Sequence, residues 1–189
     1  MPGSDEDYVK DVENATRRLK ELGIPIFGTQ DWHPPDHVSF ATSHPGKEPF
    51  DTVVIDGNPQ ALWPPHCVQG TGNARVVIDN NLFLAVIKKA QDPMTESYSG
   101  FQARGDLDTV LRVNGIDKVV VFGLATDYCV EATSLDLTAA GYSVVVVEGL
   151  CRSVSPDTAA VTLREMRSKG VRVVATLDEA IAEIRRNGS

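Results

Sequence analysis

The sequence is short of cysteine, of aromatic residues and of positive charge, and the first and last of these shortages each close off a class of protein. Only Cys67, Cys129 and Cys151 occur, an odd number at wide spacing with no C-x-x-C pair. Neither a disulfide framework nor a zinc finger is encoded, and a reducing compartment, the cytoplasm, is the expectation. There are 18 Lys and Arg against 26 Asp and Glu, a net charge of −8, so no basic footprint for nucleic acid is present. No apolar run approaches the roughly 18 residues of a membrane helix, and the acidic opening of the chain does not read as a secretory leader. Gly70-Thr71-Gly72 lacks the third glycine and the preceding buried strand of a dinucleotide fingerprint. Otherwise the composition is that of a globular protein, 42% hydrophobic and 23% charged. The length suits one domain, 1–189, with a core that needs no staples.

Periodicity organises most of the chain. Tyr8, Val12, Ala15, Leu19 and Leu22 recur at helical spacing within 4–22. Ser4 with Asp7 reads as a capping box, and Gly23 stands where a helix-ending glycine belongs. A short apolar strand covers 24–29. Residues 30–75 are irregular and rich in proline, with a short strand at 52–55; a stretch like this is usually functional. Strands are then predicted at 82–87, 119–122, 144–147 and 171–174, and helices at 107–113, 127–140, 157–168 and 177–186. The strands are continuously apolar, so both faces are covered, and their alternation with helices predicts a three-layer α/β fold with a mostly parallel sheet. The chain opens on a helix where such folds usually open on a strand.

Two constellations carry chemistry. Asp31-Trp32-His33 is followed by His37, His44 and His66. Asp31 and His33, at i and i+2, share a face if the strand runs on. They lie beyond its carboxyl end, where open α/β sheets bind ligands. A carboxylate and two imidazoles suit zinc, iron or manganese with open positions, and His66 is the natural third ligand. Three unrelated loop histidines are the competing reading. The second constellation is Cys129 in Gly123-Leu124-Ala125-Thr126-Asp127-Tyr128-Cys129-Val130, joining a strand to a helix. Backbone N–H groups and the helix dipole there would lower the thiol pKa and hold an oxyanion. An inert buried cysteine is the alternative. Cys67 and Cys151 lack such placement. Lys88 and Lys89 follow a strand, where a lysine could be drawn toward a thiolate; taken alone, both read as solvated.

In order along the chain stand Thr29-Gln30-Asp31-Trp32-His33-Pro34, Trp63-Pro64-Pro65-His66-Cys67-Val68-Gln69-Gly70-Thr71, Lys89, Ser97-Tyr98-Ser99-Gly100-Phe101 and 123–130. Together they resemble the nicotinamidase (pyrazinamidase) branch of the isochorismatase-like cysteine hydrolases. The resemblance implies an isochorismatase-like hydrolase fold and hydrolysis of nicotinamide, or a pyrazinamide-like amide, to the acid and ammonia. It implies Cys129 as nucleophile, Lys89 beside it, and Ala125 and Cys129 N–H groups as oxyanion hole with a cis Leu124–Ala125 bond. Trp63 and Tyr98 would line the ring pocket. A divalent transition metal would sit on Asp31, His33 and His66, with His37 as a further candidate. An amidase for another small amide, or a metal-binding relative without catalysis, are the alternatives; homo-oligomerisation is left open.

The same resemblance implies a first strand with a catalytic aspartate in a D-x-Q-x-D-F segment, which has no counterpart here. Met1 to Asp5 match the loop that follows it, and Asp5, Asp7 and Asp11 belong to a helix. Impaired catalysis is therefore expected, as is a sheet that closes up, is filled by another segment, or stays open as a cleft.

Overall fold

The computed structural model describes residues 1–101 and 106–186. Its elements follow the predicted alternation: helix α1 (Glu6–Glu21), strand β1 (Phe27–Asp31), a hairpin of β2 (Thr52–Ile55) and β3 (Asn58–Ala61), β4 (Ala85–Lys89), α2 (Asp106–Val113), β5 (Lys118–Leu124), α3 (Glu131–Ala139), β6 (Ser143–Arg152), α4 (Pro156–Ser168), β7 (Arg172–Val174) and α5 (Leu177–Arg186). The predicted strand 82–87 is displaced toward the C-terminus. Leu82 closes a short 3₁₀ turn, and both lysines, Lys88 and Lys89, belong to β4. The hairpin partner β3 was not foreseen, because Asn58 and Pro59 are poor strand formers.

α1 ends as expected, with Gly23 at φ 78° and its N–H donating to the Lys20 carbonyl at 2.9 Å. Its start differs from expectation. Asp5 is the cap, accepting the Tyr8 N–H at 3.0 Å, while Ser4 donates to the Met1 carbonyl. A carboxylate at the positive end of the helix is the better acceptor.

The sheet is parallel but lies in two halves. β1 pairs with β4, Phe27 opposite Ala85 through Asp31 opposite Lys89. β5, β6 and β7 form a second parallel ladder in that order. Among the described residues no ladder joins β1 to β5. Of the three expected outcomes, the sheet neither closes up nor takes in another segment.

Helices cover both faces of the larger half. Val144 and Val146 of β6 pack with Leu107 and Leu111 of α2, Leu137 of α3, and Leu163 and Met166 of α4. Val145 and Val147 point the other way, to Val174 of β7 and Ala180 of α5. Val146, Val147 and Met166 are completely buried. At about 25 cal/mol per Å² of apolar surface, such side chains contribute roughly 1.5–3 kcal/mol each. α1 spans the two halves. Its Tyr8 hydroxyl donates to the Leu150 carbonyl of β6 at 3.1 Å, and its Lys20 ammonium donates to the carbonyls of Asn81 and Leu82 ahead of β4.

Candidate active site

The carboxyl ends of β1, β4 and β5 deliver the predicted residues to one region. Register sets Asp31 beside Lys89, and their side chains form an ion pair. The Lys89 ammonium also donates to the Ser97 carbonyl at 2.9 Å and lies 3.3 Å from the Cys129 sulfur. Only 3% of Lys89 is exposed. Burial alone would lower its pKa, but the facing Cys129 and Asp31 outweigh burial and raise it, so the lysine stays charged. The solvated lysine read from sequence alone does not hold for Lys89. Lys88, on the opposite face of β4, is exposed with its ammonium over the Trp32 ring at 3.6 Å.

Cys129 occupies a π-helical turn, Thr126–Val130, that runs into α3. The turn is wound around the Ala125 carbonyl, which accepts the Tyr128 N–H at 3.2 Å and the Val130 N–H at 3.0 Å. The Leu124–Ala125 bond is cis, as the resemblance implied. The expected drop in thiol pKa is not found. Burial pushes the Cys129 thiol up, and Lys89 pulls it back only in part against Asp31 and Glu96. The helix-end argument from sequence left out this desolvation. Cys67, half-buried at φ 46°, is pushed up to about 11 by burial, and buried Cys151 likewise to about 11. Neither is poised to react.

The histidines converge through a backbone bridge. His33 N–H donates to the Cys67 carbonyl at 3.1 Å and Gln69 N–H donates to the His33 carbonyl at 2.9 Å. This docks the loop 66–69 against the continuation of β1. The His33 ring then lies 4.6 Å from that of His37 and 4.7 Å from that of His66. Completely buried Phe40 packs against all three rings. Burial lowers the pKa of His37 and of His66, which favours neutral imidazoles.

His66 Nδ1 donates to the Pro64 carbonyl at 2.9 Å, leaving the Nε2 lone pair free to ligate, the usual outer-shell arrangement. His33 Nδ1 is buried with no hydrogen-bond partner. His37 is already engaged, with Nδ1 at Ser39 and Nε2 at the Thr95 carbonyl. His44 holds the Val38 carbonyl at 2.7 Å and stands apart from the cluster.

Glu96 was missed by sequence reasoning. One ligand atom each of His33, His37 and Glu96 lies within 4.8 Å of the others. Burial would raise the Glu96 carboxyl, but neighbouring His33, with Nε2 at 3.9 Å, Ser39 and the Ser97 N–H, which donates to it at 2.8 Å, bring it down to about 2. No spacing marks this residue; its only signal is a place directly before Ser97-Tyr98. The donor set of imidazoles and carboxylates, with an orphaned buried ring nitrogen, fits a divalent transition metal.

Aromatic side chains gather around Tyr128, the residue before Cys129. Trp63 and Gln60 both donate to the Tyr98 hydroxyl, at 3.1 and 2.7 Å. The Tyr128 ring lies 4.8 Å from Trp63 and 5.3 Å from Tyr98. Trp63 and Tyr98 are the two residues the resemblance names as pocket walls; Tyr128, which packs against both rings, is not among them. Asp5 and Asp7 are occupied elsewhere, as the helix cap and in a pair with Lys10.

Comparisons with known proteins identify the family. Residues 2–178 match the Isochorismatase domain. The chain is 39% identical over 179 residues to the nicotinamidase of Escherichia coli (strain K12), covering 88% of this chain and 84% of that protein. It is 33% identical over 159 residues to the nicotinamidase/pyrazinamidase of Mycobacterium tuberculosis, covering 80% and 76%. Among solved structures, the Acinetobacter baumanii nicotinamidase/pyrazinamidase superposes with a TM-score of 0.84 at 33% identity, covering 95% of this chain and 91% of that one. The zinc complex of Pyrococcus horikoshii pyrazinamidase gives 0.78 at 34%, covering 93% and 92%. With Lys89 against Cys129 at the strand ends and an imidazole cluster beside them, the chain belongs to the isochorismatase-domain family, on the side of its nicotinamidases.

Proposed function

We propose that this chain hydrolyses nicotinamide, or a closely similar pyridine or pyrazine carboxamide, to the carboxylate and ammonia, as one domain acting in the cytoplasm. The observation that carries the reading is the buried Lys89 ammonium 3.3 Å from the Cys129 sulfur and paired with Asp31. An ammonium held there stabilises a thiolate that burial alone would disfavour. The thiolate attacks the amide carbon. Its oxygen takes the displaced electron pair and is received by the N–H groups of Ala125 and Cys129. The C–N bond then breaks as the amide nitrogen takes up the proton lost by the Cys129 thiol and leaves as ammonia; water cleaves the thioester, its hydroxyl completing the acid and its proton restoring the thiol. Trp63, Tyr98 and Tyr128 offer flat walls for an aromatic ring.

Asp31, His33 and His66 would hold a zinc, iron or manganese ion, with His37 and Glu96 beside them. Such an ion supplies a Lewis acid that can bind a ring nitrogen. Around it His66 keeps its orientation through Pro64, and Phe40 keeps water from the back of the imidazoles.

The test is a stoichiometric one. Mixed with nicotinamide after metal loading, the chain should release ammonia and carry a nicotinoyl adduct on Cys129, seen by mass spectrometry. Neither product with any of the three metals would overturn the reading.

A further inference from the structure

The nucleophile is held from behind as well as from the front. Asp127, two residues before Cys129, directs its carboxylate to the start of α4. One oxygen accepts the Val154 N–H at 2.9 Å. The other accepts the Ser155 N–H at 3.2 Å and the Thr158 hydroxyl at 2.5 Å. Ser155 is itself the N-cap of α4, so one carboxylate gathers the backbone ahead of that helix and its first-turn hydroxyl. The π-helical turn of Cys129 is thus fastened at two points, to the Ala125 carbonyl inside and to α4 outside. π-helical turns are rare, occur mostly as single turns, and are frequent at functional sites. This one has to hold a sulfur atom at a set distance from an ammonium on a different half of the sheet.

We propose that Asp127 is a positioning residue: by tying the turn Thr126–Val130 to α4 it holds the Cys129 sulfur in contact with Lys89. The proposal rests on the reading of Cys129 as nucleophile. The competing account is that Asp127 only caps α4 and stabilises the fold. The charges that act on the thiol are those of Lys89, Asp31 and Glu96; Asp127 faces α4. The two ways Asp127 could influence the thiol therefore have opposite signs. Removing a negative charge near a thiol favours the thiolate and speeds its reactions. Releasing the turn separates sulfur from ammonium, leaves burial unopposed, and slows them.

The experiment is alkylation of the full chain with iodoacetamide between pH 6 and 10. Modification of each cysteine is followed by mass spectrometry, and thermal unfolding is measured alongside. In the unsubstituted chain Cys129 should react before Cys67 and Cys151. Asp127→Asn should slow Cys129 at pH 7 by about tenfold or more and raise the midpoint of its pH profile. Thr158→Val, which removes one of the three bonds without touching the turn, should shift both in the same direction by less. It decides the matter if Asp127→Asn does not fold. An unchanged Cys129 rate with a lower unfolding temperature would reduce Asp127 to a helix cap and overturn the proposal. A faster rate with a lower midpoint would overturn it in favour of simple charge. If Cys129 of the unsubstituted chain reacts no faster than Cys67 or Cys151, the nucleophile reading falls, and this proposal with it.

Discussion

The two halves of the sheet are built on different principles. The β5–β6–β7 half is a dense apolar body: Val144 and Val146 face one layer of helices and Val145 and Val147 another. The β1–β4 half buries polar groups alongside apolar ones such as Phe40, Leu62 and Ile87. His33, His37, Ser39, Lys89, Ser97 and Ser99 are all buried there or in its loops, organised by hydrogen bonds and one ion pair. The larger half carries Cys129, and the smaller half carries Lys89, Asp31 and the imidazoles. They meet where Lys89 touches Cys129. A reactive centre placed at this junction depends on both kinds of order, and each can be broken separately.

The largest effect should come from the junction. Cys129→Ala is expected to abolish ammonia release and adduct formation together while metal content and folding persist. Residual release at the parental rate would move the chemistry elsewhere.

Lys89→Met tests the junction from the polar side. Removing one partner of a buried ion pair typically costs about 3–5 kcal/mol. Denaturant unfolding should show a loss of that size, and Cys129 alkylation at neutral pH should slow. If stability is unchanged, the Asp31–Lys89 pair does not hold the smaller half.

Phe40→Ala removes the apolar packing under three imidazoles. A loss of about 3–5 kcal/mol is expected for a fully buried phenylalanine, accompanied by weaker metal retention in dialysis. The same loss without any change in metal retention would separate the packing of this half from its ligands. His66→Ala should deplete the bound metal with little effect on stability, since its ring is only half-buried.

The smallest effect is one of pH. Glu96 is held at about 2 in the folded chain against an ordinary 4.5. A depressed carboxyl stabilises the fold above its unfolded value, and this contribution fades as pH falls from about 4.5 toward 2, a total of roughly 3 kcal/mol. In metal-free protein, Glu96→Gln should flatten the acid limb of the stability curve in that window. An unaltered limb would place the acid sensitivity in other carboxylates.

Much of the larger half was legible in the sequence because its strands are continuous apolar runs and its helices repeat at 3.6 residues. β6 was recognised from Val144 to Val147 but runs to Arg152, since Glu148 and Gly149 interrupt the apolar run that marks the strand. The smaller half was legible only as motifs. The motifs proposed Asp31, His33 and His66 as a group, whereas the close ligand cluster among the described residues is His33, His37 and Glu96, and the ion pair that draws Asp31 to Lys89 had no local signal. Glu96 and Tyr128 went unseen because each reaches the site through a loop or turn whose path depends on distant contacts.

By itself the sequence determined the α/β alternation, the residue types of the site and the placing of Cys129 after an apolar strand, which the structure leaves half-buried. These follow from local patterns of burial and turn chemistry. Tertiary structure decided which carboxylate meets which cation, that Lys89 is buried while Lys88 is exposed, that burial holds the Cys129 thiol up, and that the sheet lies in two halves. Those outcomes depend on the desolvation and pairing of groups far apart in the chain, which no local pattern encodes.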